Sequence, residues 1–544
     1  MRRLIILGTF FLFAKKFVRL LAYLTLPFSW LGQFFKRYHP LSWLGQFFKH
    51  LLAYLTLPFS WLGQFFKPYH PCRWCLRCCA YWQSLKPFYR RLIINMLVGL
   101  TITLSLVALQ DNRILHETED IGIDWVMKMF RNTPPSQDSP PFVLLDIDEK
   151  TYQHWQEPLL TPRDKLLDLL KFAIEGQPKI IVVDIDLSYP IERFSDKLNT
   201  ADQALYDFFA QYEVHCSKTG CPHILLARTF RQSLKDNGYQ AVRPSFLDRV
   251  VANSLHVHWA SASFDLSRDY ILRRWHLWEV SCSGQFPVVV PSMQLLTVAL
   301  LDNPNQGACQ IANQLAAVMP VDCEGDNSWT APACHDTMHL SVSRNLQLNF
   351  SPSRISRRIL YRIPWELPKG NARPLTRQGN PLLSTLSAYK ITEHAPIDNT
   401  LLRDTITIIG GSFKDSRDIY ATPLGWMPGE LVIANAIHSL LQFGELTAPP
   451  LWAVILIQAL LIFIMSLAFT FFSSFFGMLI SGAVIIIVMV PFSFLLFEYG
   501  MWLDFAIALV IVQLYEMTMA YREMLQMLDI KRKSEILQKK EYNE

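Results

Sequence analysis

The hydrophobic positions of the chain form four long runs that stand apart from the rest of the sequence. The first covers residues 93–109, and the other three, which nearly touch one another, cover residues 451–472, 475–497 and 503–521. A run of about 20 apolar residues makes a helix long enough to cross a bilayer, and helices that are hydrophobic on all faces are rare elsewhere. The pattern predicts one transmembrane helix at 93–110 and three at 451–521.

Charged residues are distributed unevenly around these runs. Residues 1–92 contain fourteen Lys and Arg and no Asp or Glu, whereas acidic residues follow the first run at once. Because Lys and Arg accumulate on the cytoplasmic side of membrane helices, this bias places the N-terminus in the cytoplasm and exports residues 111–447. The basic tail, 522–544, returns to the cytoplasm. We expect a multi-pass protein of the inner (cytoplasmic) membrane whose large domain is periplasmic or extracellular.

The basic N-terminal segment is built from internal repeats. Residues 20–40 recur almost unchanged as residues 51–71, and residues 42–49 are a third, partial copy. The copies are aromatic and interrupted by proline, so they are too short to span a bilayer but suit its headgroup layer. Two interpretations remain open: an interfacial membrane collar, or a neutral expansion of the tail. The apolar residues among the basic ones favour lipid over nucleic acid as the partner.

The ten cysteines fall into two groups. Six lie in the exported region, where disulfides persist, and are disulfide candidates of open connectivity: Cys216, Cys221, Cys282, Cys309, Cys323 and Cys334. The other four, on the cytoplasmic side, are Cys72, Cys75, Cys78 and Cys79. Their spacing resembles that of zinc or iron–sulfur ligands, but two are adjacent and no second ligand pair follows. We therefore expect reduced cysteines and no metal.

Short apolar runs in the exported region alternate with amphipathic segments. Residues 142–148 read FVLLDID and residues 179–186 read KIIVVDID, two strands that end in carboxylates, with a helix at 161–174 between them. That spacing matches a strand–helix–strand crossover, which favours parallel pairing. A strand at 405–409 runs into two glycines and is followed by an apolar helix at 431–441. The predicted fold class is α/β with a parallel or mixed sheet, beside four transmembrane α-helices.

Several residues, taken in order, resemble one family of sensory domains. The first part of the match comprises Asp146, Asp148, Thr161-Pro162-Arg163, Asp184, Arg273, Pro291-Ser292 and Leu348-Asn349-Phe350. The final part, which keeps the family's spacing, comprises Ile409-Gly410-Gly411-Ser412, Asp418, Thr422-Pro423, Pro428-Gly429 and Ala434-Asn435-Ala436. Over roughly residues 93–521, the chain is similar to the second class of CHASE domain, the cyclase/histidine-kinase-associated sensory extracellular domain.

The resemblance implies a bacterial sensory domain held between one and three membrane helices. The chain departs from the family pattern at Ile433, where the family has histidine, and in a cysteine-bearing insertion around 210–335. We also expect no effector domain after the last helix. Two functions follow. One is a sensory protein that passes an unidentified small-molecule signal to a separate cytoplasmic effector, or acts as a homo-oligomer in the lipid bilayer. The other is a structural subunit of an envelope complex that uses the exported domain for protein contacts.

The carboxylates at the strand ends are the candidate site, because open α/β sheets bind ligands there. The ligand-binding candidates are Asp148, Asp186, Arg163 and Asp418, and we expect Arg163 to pair with Asp146 or Asp184. The structural candidates are Asp146, Asp184, Gly410, Gly411, Pro428, Gly429 and Asn435. The two glycines favour a tight turn over a phosphate cradle, and His256 and His258 are assigned to packing or the surface. No catalytic motif occurs, so we expect neither an enzyme nor a cofactor.

Overall fold

The structure, a computed structural model, describes the exported region and parts of its flanks. It covers scattered positions between residues 84 and 100, and residues 113–130, 139–192, 197–216, 220–232, 240–283, 286–318, 339–343, 346–349, 354–367, 374–393, 397–447 and 450–471. The chain divides into two compact units, 1–90 and 91–544, and the described residues belong almost entirely to the second. Several predictions lie outside them: those on the N-terminal repeats, on Cys72, Cys75, Cys78, Cys79, Cys323 and Cys334, on most of the first apolar run, on the last two runs and on the tail.

The strands of the domain are short, and most are apolar. They are β1 (Phe142–Ile147), β2 (Ile180–Val183), β3 (His223–Arg228), β4 (Phe230–Gln232), β5 (Gln240–Val242), β6 (Val257–Ser261), β7 (Phe264–Leu266), β8 (Leu272–Trp275), β9 (Trp278–Ser283), β10 (Phe286–Pro291), β11 (His339–Ser343), β12 (Leu346–Asn349), β13 (Leu383–Ser387), β14 (Ile406–Gly411), β15 (Ile419–Thr422) and β16 (Gly425–Pro428).

The α-helices lie between these strands and at both ends of the described region. They are α1 (Arg113–Phe130), α2 (Glu149–His154), α3 (Arg163–Glu175), α4 (Thr200–Ala210), α5 (Tyr212–Cys216), α6 (Asp248–Ala252), α7 (Met293–Asp302), α8 (Gly307–Leu315), α9 (Ala388–Thr392), α10 (Gly429–Phe443) and α11 (Leu451–Phe471).

A six-stranded sheet in the order β13-β1-β14-β2-β3-β6 forms the centre of the domain. All neighbouring strands in it are parallel, which confirms the α/β class with a parallel sheet. β14 pairs with both β1 and β2, so the two strands that end in carboxylates are parallel but lie on either side of it. The segment around 210–335 contributes β3 and β6 to this sheet.

Two hydrophobic cores cover the two faces of the sheet. In β1, Phe142 and Leu144 belong to the core that includes α1, α7 and α10, whereas Val143 and Leu145 belong to the core that includes α3, α4 and α9. Successive side chains of a strand point to opposite faces, so strands covered on both sides are apolar throughout. The carboxylates that end the strands therefore lie at the rim of two buried cores.

The predicted helices begin close to where the sequence places them. α3 begins at Arg163, directly after Pro162, and α10 begins at Gly429, directly after Pro428. Proline is tolerated at this boundary because the first N–H groups of a helix have no intrahelical partner. Pro428 and Gly429 thus mark the passage from β16 into α10.

The predicted tight turn at Gly410 and Gly411 is wrong. Both residues continue β14, where they are the register partners of Asp146 and Ile147. Neither has a positive φ, so conformational freedom is not what requires glycine here. Glycine is required at position 410 because the side chain of Glu430 lies where a Cβ atom would be.

Helix α11 occupies the second apolar run. It contains 21 residues and no charged side chain, and its well-exposed large apolar residues include Trp452, Ile455, Leu456, Leu460, Phe463 and Phe471. Judged on length and hydropathy together, none of the described helices qualifies as a membrane span. The topology of four transmembrane helices stays a prediction.

A buried set of ion pairs fastens α1 to the domain. This arginine cluster consists of Asp120 and Asp124 from α1 with Arg273, Arg274, Arg354 and Arg358. Asp120 lies 2.5 Å from both Arg274 and Arg354 and also pairs with Arg358. Asp124 accepts from Nε and Nη2 of Arg273 at 3.1 and 2.9 Å and pairs with Arg358. Burial lowers the pKa of Arg358 to about 10, so it remains charged at neutral pH.

The cysteine predictions need one correction. Cys309 has a free, exposed thiol on α8, where Asn313 Nδ2 lies 3.6 Å from its sulfur. Because this thiol is free, Cys309 is not half of a disulfide. Cys221 and Cys282 are not free, and the pairing of the remaining candidates, Cys216 included, stays a prediction.

Candidate functional site

The carboxyl ends of three neighbouring strands bring two of the predicted aspartates into one row. Asp146 in β1 is the register partner of Gly410 in β14. Asp184, the residue after β2, donates its backbone N–H to the Ile409 carbonyl at 2.8 Å. Because successive residues of a strand face opposite sides of the sheet, Asp146, Gly410 and Asp184 all face the core that includes α1, α7 and α10. Because Gly410 has no side chain, a gap opens on that face between the two aspartates.

Glu430, in the first turn of α10, fills this gap. A Cβ atom on Gly410 would lie 2.7 Å from both Cβ and Oε2 of Glu430. The Glu430 side chain is 0% exposed, and neither carboxyl oxygen has a hydrogen-bond partner among the described residues. Burial, and then the charges of Asp146, Asp184 and Asp418, hold its pKa well above the usual range. The protonated form of Glu430 is therefore favoured.

Asp418 completes a set of four carboxyl groups that we call the acidic cluster: Asp146, Asp184, Asp418 and Glu430. A Cβ atom on Gly429 would lie 2.6 Å from Cγ of Asp418, so this carboxylate sits against the start of α10. Burial raises the pKa of Asp418, while a hydrogen bond from Tyr420 acts in the opposite direction. Burial and the nearby charge of Asp418 hold the pKa of Asp184 well above its usual range. The charge of each carboxylate opposes ionisation of the other.

Asp146 accepts two hydrogen bonds from one neighbouring residue. Its carboxyl oxygens accept from Ser412 N at 3.1 Å and from Ser412 Oγ at 2.8 Å. Burial raises the pKa of Asp146 from 3.8 to about 6, against the opposing effect of the Ser412 bonds, and the charge of Asp148 adds to the rise. The folded protein therefore binds a proton here at pH values where the unfolded chain has lost it.

We expect Asp146→Asn to change the pH dependence of stability. In the wild type, the contribution of the Asp146 carboxyl group to the free energy of unfolding is greatest below pH 4. It falls as pH rises from about 4 to 6, because in this range the unfolded chain has lost the proton that the folded chain still holds, and it is constant above pH 6. The asparagine side chain does not ionise, so the variant lacks this decrease. Its free energy of unfolding at pH 7.5 should therefore be higher than that of the wild type by roughly 2 kcal/mol. Denaturant titrations from pH 4 to 7.5 measure it; an unchanged slope between pH 4 and 6 would contradict it.

An open cavity of about 1050 Å³ lies outside the acidic cluster, at the carboxyl ends of the strands. Its wall includes two cluster members, Asp184 and Asp418, and the aromatic residues Tyr152, Trp155, Phe230 and Phe413. The rings of Tyr152 and Phe413 stack with their centroids 4.2 Å apart. Arg228 and Arg417 also line it, and Arg228 pairs with Asp248. A cavity of this size accommodates a small molecule.

The structure brings two of the four predicted ligand residues to this cavity. Asp418 and Asp186 both line it. Asp186 accepts from Ser188 N at 2.9 Å and lies 3.5 Å from Arg243, so its charge is partly offset. Asp148 is not among the lining residues; its carboxylate caps α2 by accepting from Thr151 N at 2.8 Å. An N-cap acceptor of this kind stabilises the first turn of a helix.

The predicted pairing of Arg163 with Asp146 or Asp184 is wrong. The Arg163 side chain is fully buried, and its Nε lies 3.4 Å from Oδ1 of Asp202. Its Nη2 donates to the Tyr189 carbonyl at 2.9 Å. Arg163 faces the second core, whereas the two aspartates face the first, so the sheet separates them. It holds the loop after β2 in place and does not line the cavity.

Asn435 makes contacts that fit its assignment as a structural residue. Its Oδ1 accepts from the backbone N–H groups of Arg362 and Ile363, both at 2.9 Å. Its Nδ2 donates to the carbonyls of Ile363 and Leu431, also at 2.9 Å. The side chain is fully buried, and it joins α10 to a segment that has no strand partner at those groups.

Three charged residues at buried sites were not predicted from the sequence. Glu430 is the one acid in the apolar helix α10, and it directly follows Pro428-Gly429, which is a signal that could have found it. Asp120 and Asp124 occur at i, i+4 spacing in α1, which places them on one face of the helix. Their arginine partners lie roughly 150 and 240 residues further along the chain, so no local pattern identifies them.

His256 and His258 stack on a third histidine that the sequence did not connect with them. The ring of His223 lies 5.0 Å from that of His256 and 5.4 Å from that of His258. Burial lowers the pKa of His223 and of His258 to about 4, so both are neutral at physiological pH. In the part of the chain that the structure describes, no group of three or more His, Cys, Asp or Glu could hold a metal ion.

Comparison with known proteins agrees with the resemblance noted in the sequence. The family model of the CHASE2 domain matches residues 98–471, more than half of the chain and all of the elements from α1 to α11. No curated protein and no solved structure matches the chain.

Proposed function

The chain belongs to the CHASE2 domain family, and from this premise we propose that it is a membrane-anchored sensory protein whose signal binds in the cavity beside the acidic cluster. CHASE2 is a family of extracellular sensory domains, which agrees with a periplasmic position of residues 111–447. In this proposal both termini are cytoplasmic, and the helices that flank the domain carry the response to a separate cytoplasmic partner.

One observation supports the proposal above the others: the helix that begins at the acidic cluster is followed in the chain by a predicted membrane span. Glu430 lies in the first turn of α10, which ends at Phe443, and α11 begins at Leu451. A helix of this length is a rod of roughly 22 Å. Because packed cores do not deform continuously, a ligand that repositions the first turn of α10 moves the whole helix.

Helix α1, which the arginine cluster holds against the domain, connects the domain to the other predicted membrane span. α1 follows the first predicted span, and Ile123 and Met127 of α1 share one hydrophobic core with Leu431 of α10. Both predicted connections to the membrane therefore meet on the same face of the sheet. A change at the cavity would reach α1 and α11 together, as a sensor that responds through its helices requires.

The free thiol of Cys309 gives a direct test of sidedness. In cells with a permeabilised outer membrane, a membrane-impermeant maleimide should modify Cys309 of the full-length chain, because this thiol is exposed in the domain. Peptide mass mapping measures the modification, and Cys309→Ser is the matched control. Modification of Cys309 only after lysis would place the domain on the cytoplasmic side and contradict the proposal.

Cross-linking mass spectrometry on native membranes tests the output. With the tagged full-length chain, we expect a recurring cytoplasmic signalling enzyme cross-linked to residues 522–544. Cross-links restricted to envelope proteins and the exported domain would instead support the second function, a structural subunit of an envelope complex.

A further inference from the structure

The acidic cluster brings four carboxyl groups together at one end of the sheet. In the described part of the chain, no Lys, Arg or His forms an ion pair with any of its four carboxyl groups. The N-terminus of α10 adjoins the cluster, but a helix end contributes only about half a unit of positive charge. The protonated form of Glu430 is favoured, and a cation beside Asp184 and Asp418 would favour the ionised forms of these two carboxyl groups.

The Glu430 side chain is the second sign of an incomplete site. It is wholly buried and aimed between Asp146 and Asp184, yet both of its oxygens lack a hydrogen-bond partner. Buried carboxyl groups are nearly always hydrogen-bonded or paired, and exceptions concentrate at functional sites. A positive charge outside Asp184 and Asp418 would offset the repulsion that these two carboxylates exert on each other and on Glu430.

The cavity indicates what kind of cation fits. Its volume of about 1050 Å³ is large enough for a molecule of many atoms. Asp184 and Asp418 are the cluster members that reach its wall, and aromatic rings, including the stacked pair Tyr152 and Phe413, form another part. Aromatic faces attract organic cations and also cover their apolar atoms.

We propose that the ligand of this cavity is an organic cation, with an ammonium or guanidinium group between Asp184 and Asp418 and its carbon atoms against the aromatic wall. The inference rests on the proposed sensory function and specifies the chemical class of its signal. Two arginines also line the cavity, but Arg228 is paired with Asp248, and Arg417 is exposed to solvent on a wall that also contains Asp186 and Asp415.

Calorimetric titration of the full-length chain in detergent tests the class of ligand with two matched pairs of probes. The first pair is putrescine and the uncharged diol of the same chain length. The second is choline and the alcohol in which carbon replaces its nitrogen. We expect at least one cation to bind about tenfold more tightly than its uncharged partner, since only the cation gains the charge-assisted contacts.

The variants Asp184→Asn and Asp418→Asn keep the shape of the side chain and remove one charge each. Each should weaken binding of the cation about tenfold. Asp404→Asn is the matched control, because Asp404 is exposed at the opposite, amino end of β14, and its positive φ of 61° tolerates asparagine. It should leave the affinity unchanged.

Three results would overturn the inference. The first is equal binding of the cations and their uncharged partners, and the second is no binding of either cation at about 10 mM, the weak limit of small-ligand recognition. The third is displacement of a bound cation by Ca²⁺ or Mg²⁺ at equal concentration. The maleimide modification of Cys309 and the cross-links at residues 522–544 do not depend on the charge of the ligand. Failure of the titration with success of those two experiments would reject the cationic class and retain the sensory function.

Discussion

Asp120→Ala should lower the free energy of unfolding of the exported domain by about 4 kcal/mol, the largest effect that we expect from a single substitution. Asp120 pairs with Arg274, Arg354 and Arg358, and Arg358 is fully buried. Removing one partner of a buried ion pair leaves an uncompensated charge in a medium of low polarity. This typically lowers the free energy of unfolding by roughly 3–5 kcal/mol. For a domain of this size, the loss lowers the melting temperature by roughly 10 °C.

Asp269→Ala is the matched control for this prediction. Asp269 also pairs with an arginine of the cluster, Arg273, at 2.7 Å, but its side chain is 51% exposed. Exposed ion pairs contribute little, so we expect a loss below about 1 kcal/mol. Thermal unfolding of the two full-length variants in the same detergent compares them. Equal melting temperatures would mean that the arginine cluster does not hold α1 against the domain.

Gly410→Ala should lower the free energy of unfolding by about 3 kcal/mol. The new methyl group would lie 2.7 Å from Cβ and from Oε2 of Glu430. Cβ of Glu430 is bonded directly to the backbone of a packed helix and cannot rotate away, so either α10 or β14 must shift. Overpacking of a buried contact typically costs roughly 1–3 kcal/mol or more. The double variant Gly410→Ala with Glu430→Gly removes the obstructing atoms and should recover part of the loss.

Gly429→Ala provides the contrast. Its methyl group would meet the carboxylate of Asp418, the far end of a flexible side chain that can rotate away. We expect a loss of stability below about 1 kcal/mol. Denaturant unfolding measures both single variants and the double variant. If Gly410→Ala were as mild as Gly429→Ala, or if Glu430→Gly gave no recovery, Glu430 would not occupy the gap above Gly410.

Local patterns in the sequence were sufficient to predict the elements that build the site. Because both faces of the sheet are covered, β1 and β2 must be apolar throughout, and the positions of Pro162 and Pro428 predict the starts of α3 and α10. Carboxylates at the ends of parallel strands must lie on one edge of the sheet, so Asp146 and Asp184 could be placed there without a structure. The topology of helices in a membrane remains a prediction from the same kind of pattern.

Contacts between distant segments could not be predicted in this way. Asp146 accepts from Ser412, which is 266 residues away, because β14 inserts between β1 and β2. Arg163 lies on the other face of the sheet from Asp146, so it binds Asp202 instead. Whether two charged groups meet depends on strand order and on which face each occupies, and neither quantity is encoded in the spacing of neighbouring residues.

The sequence by itself determined the α/β class, the family and the edge of the sheet at which carboxylates collect, because these follow from periodicity and from motifs in fixed order. Only the tertiary structure decided that Glu430 enters the gap above Gly410 and that Asp120 and Asp124 bind four arginines. The physical reason is that burial sets the strength of these interactions, and burial depends on how α1 and α10 pack against strands formed by remote parts of the chain.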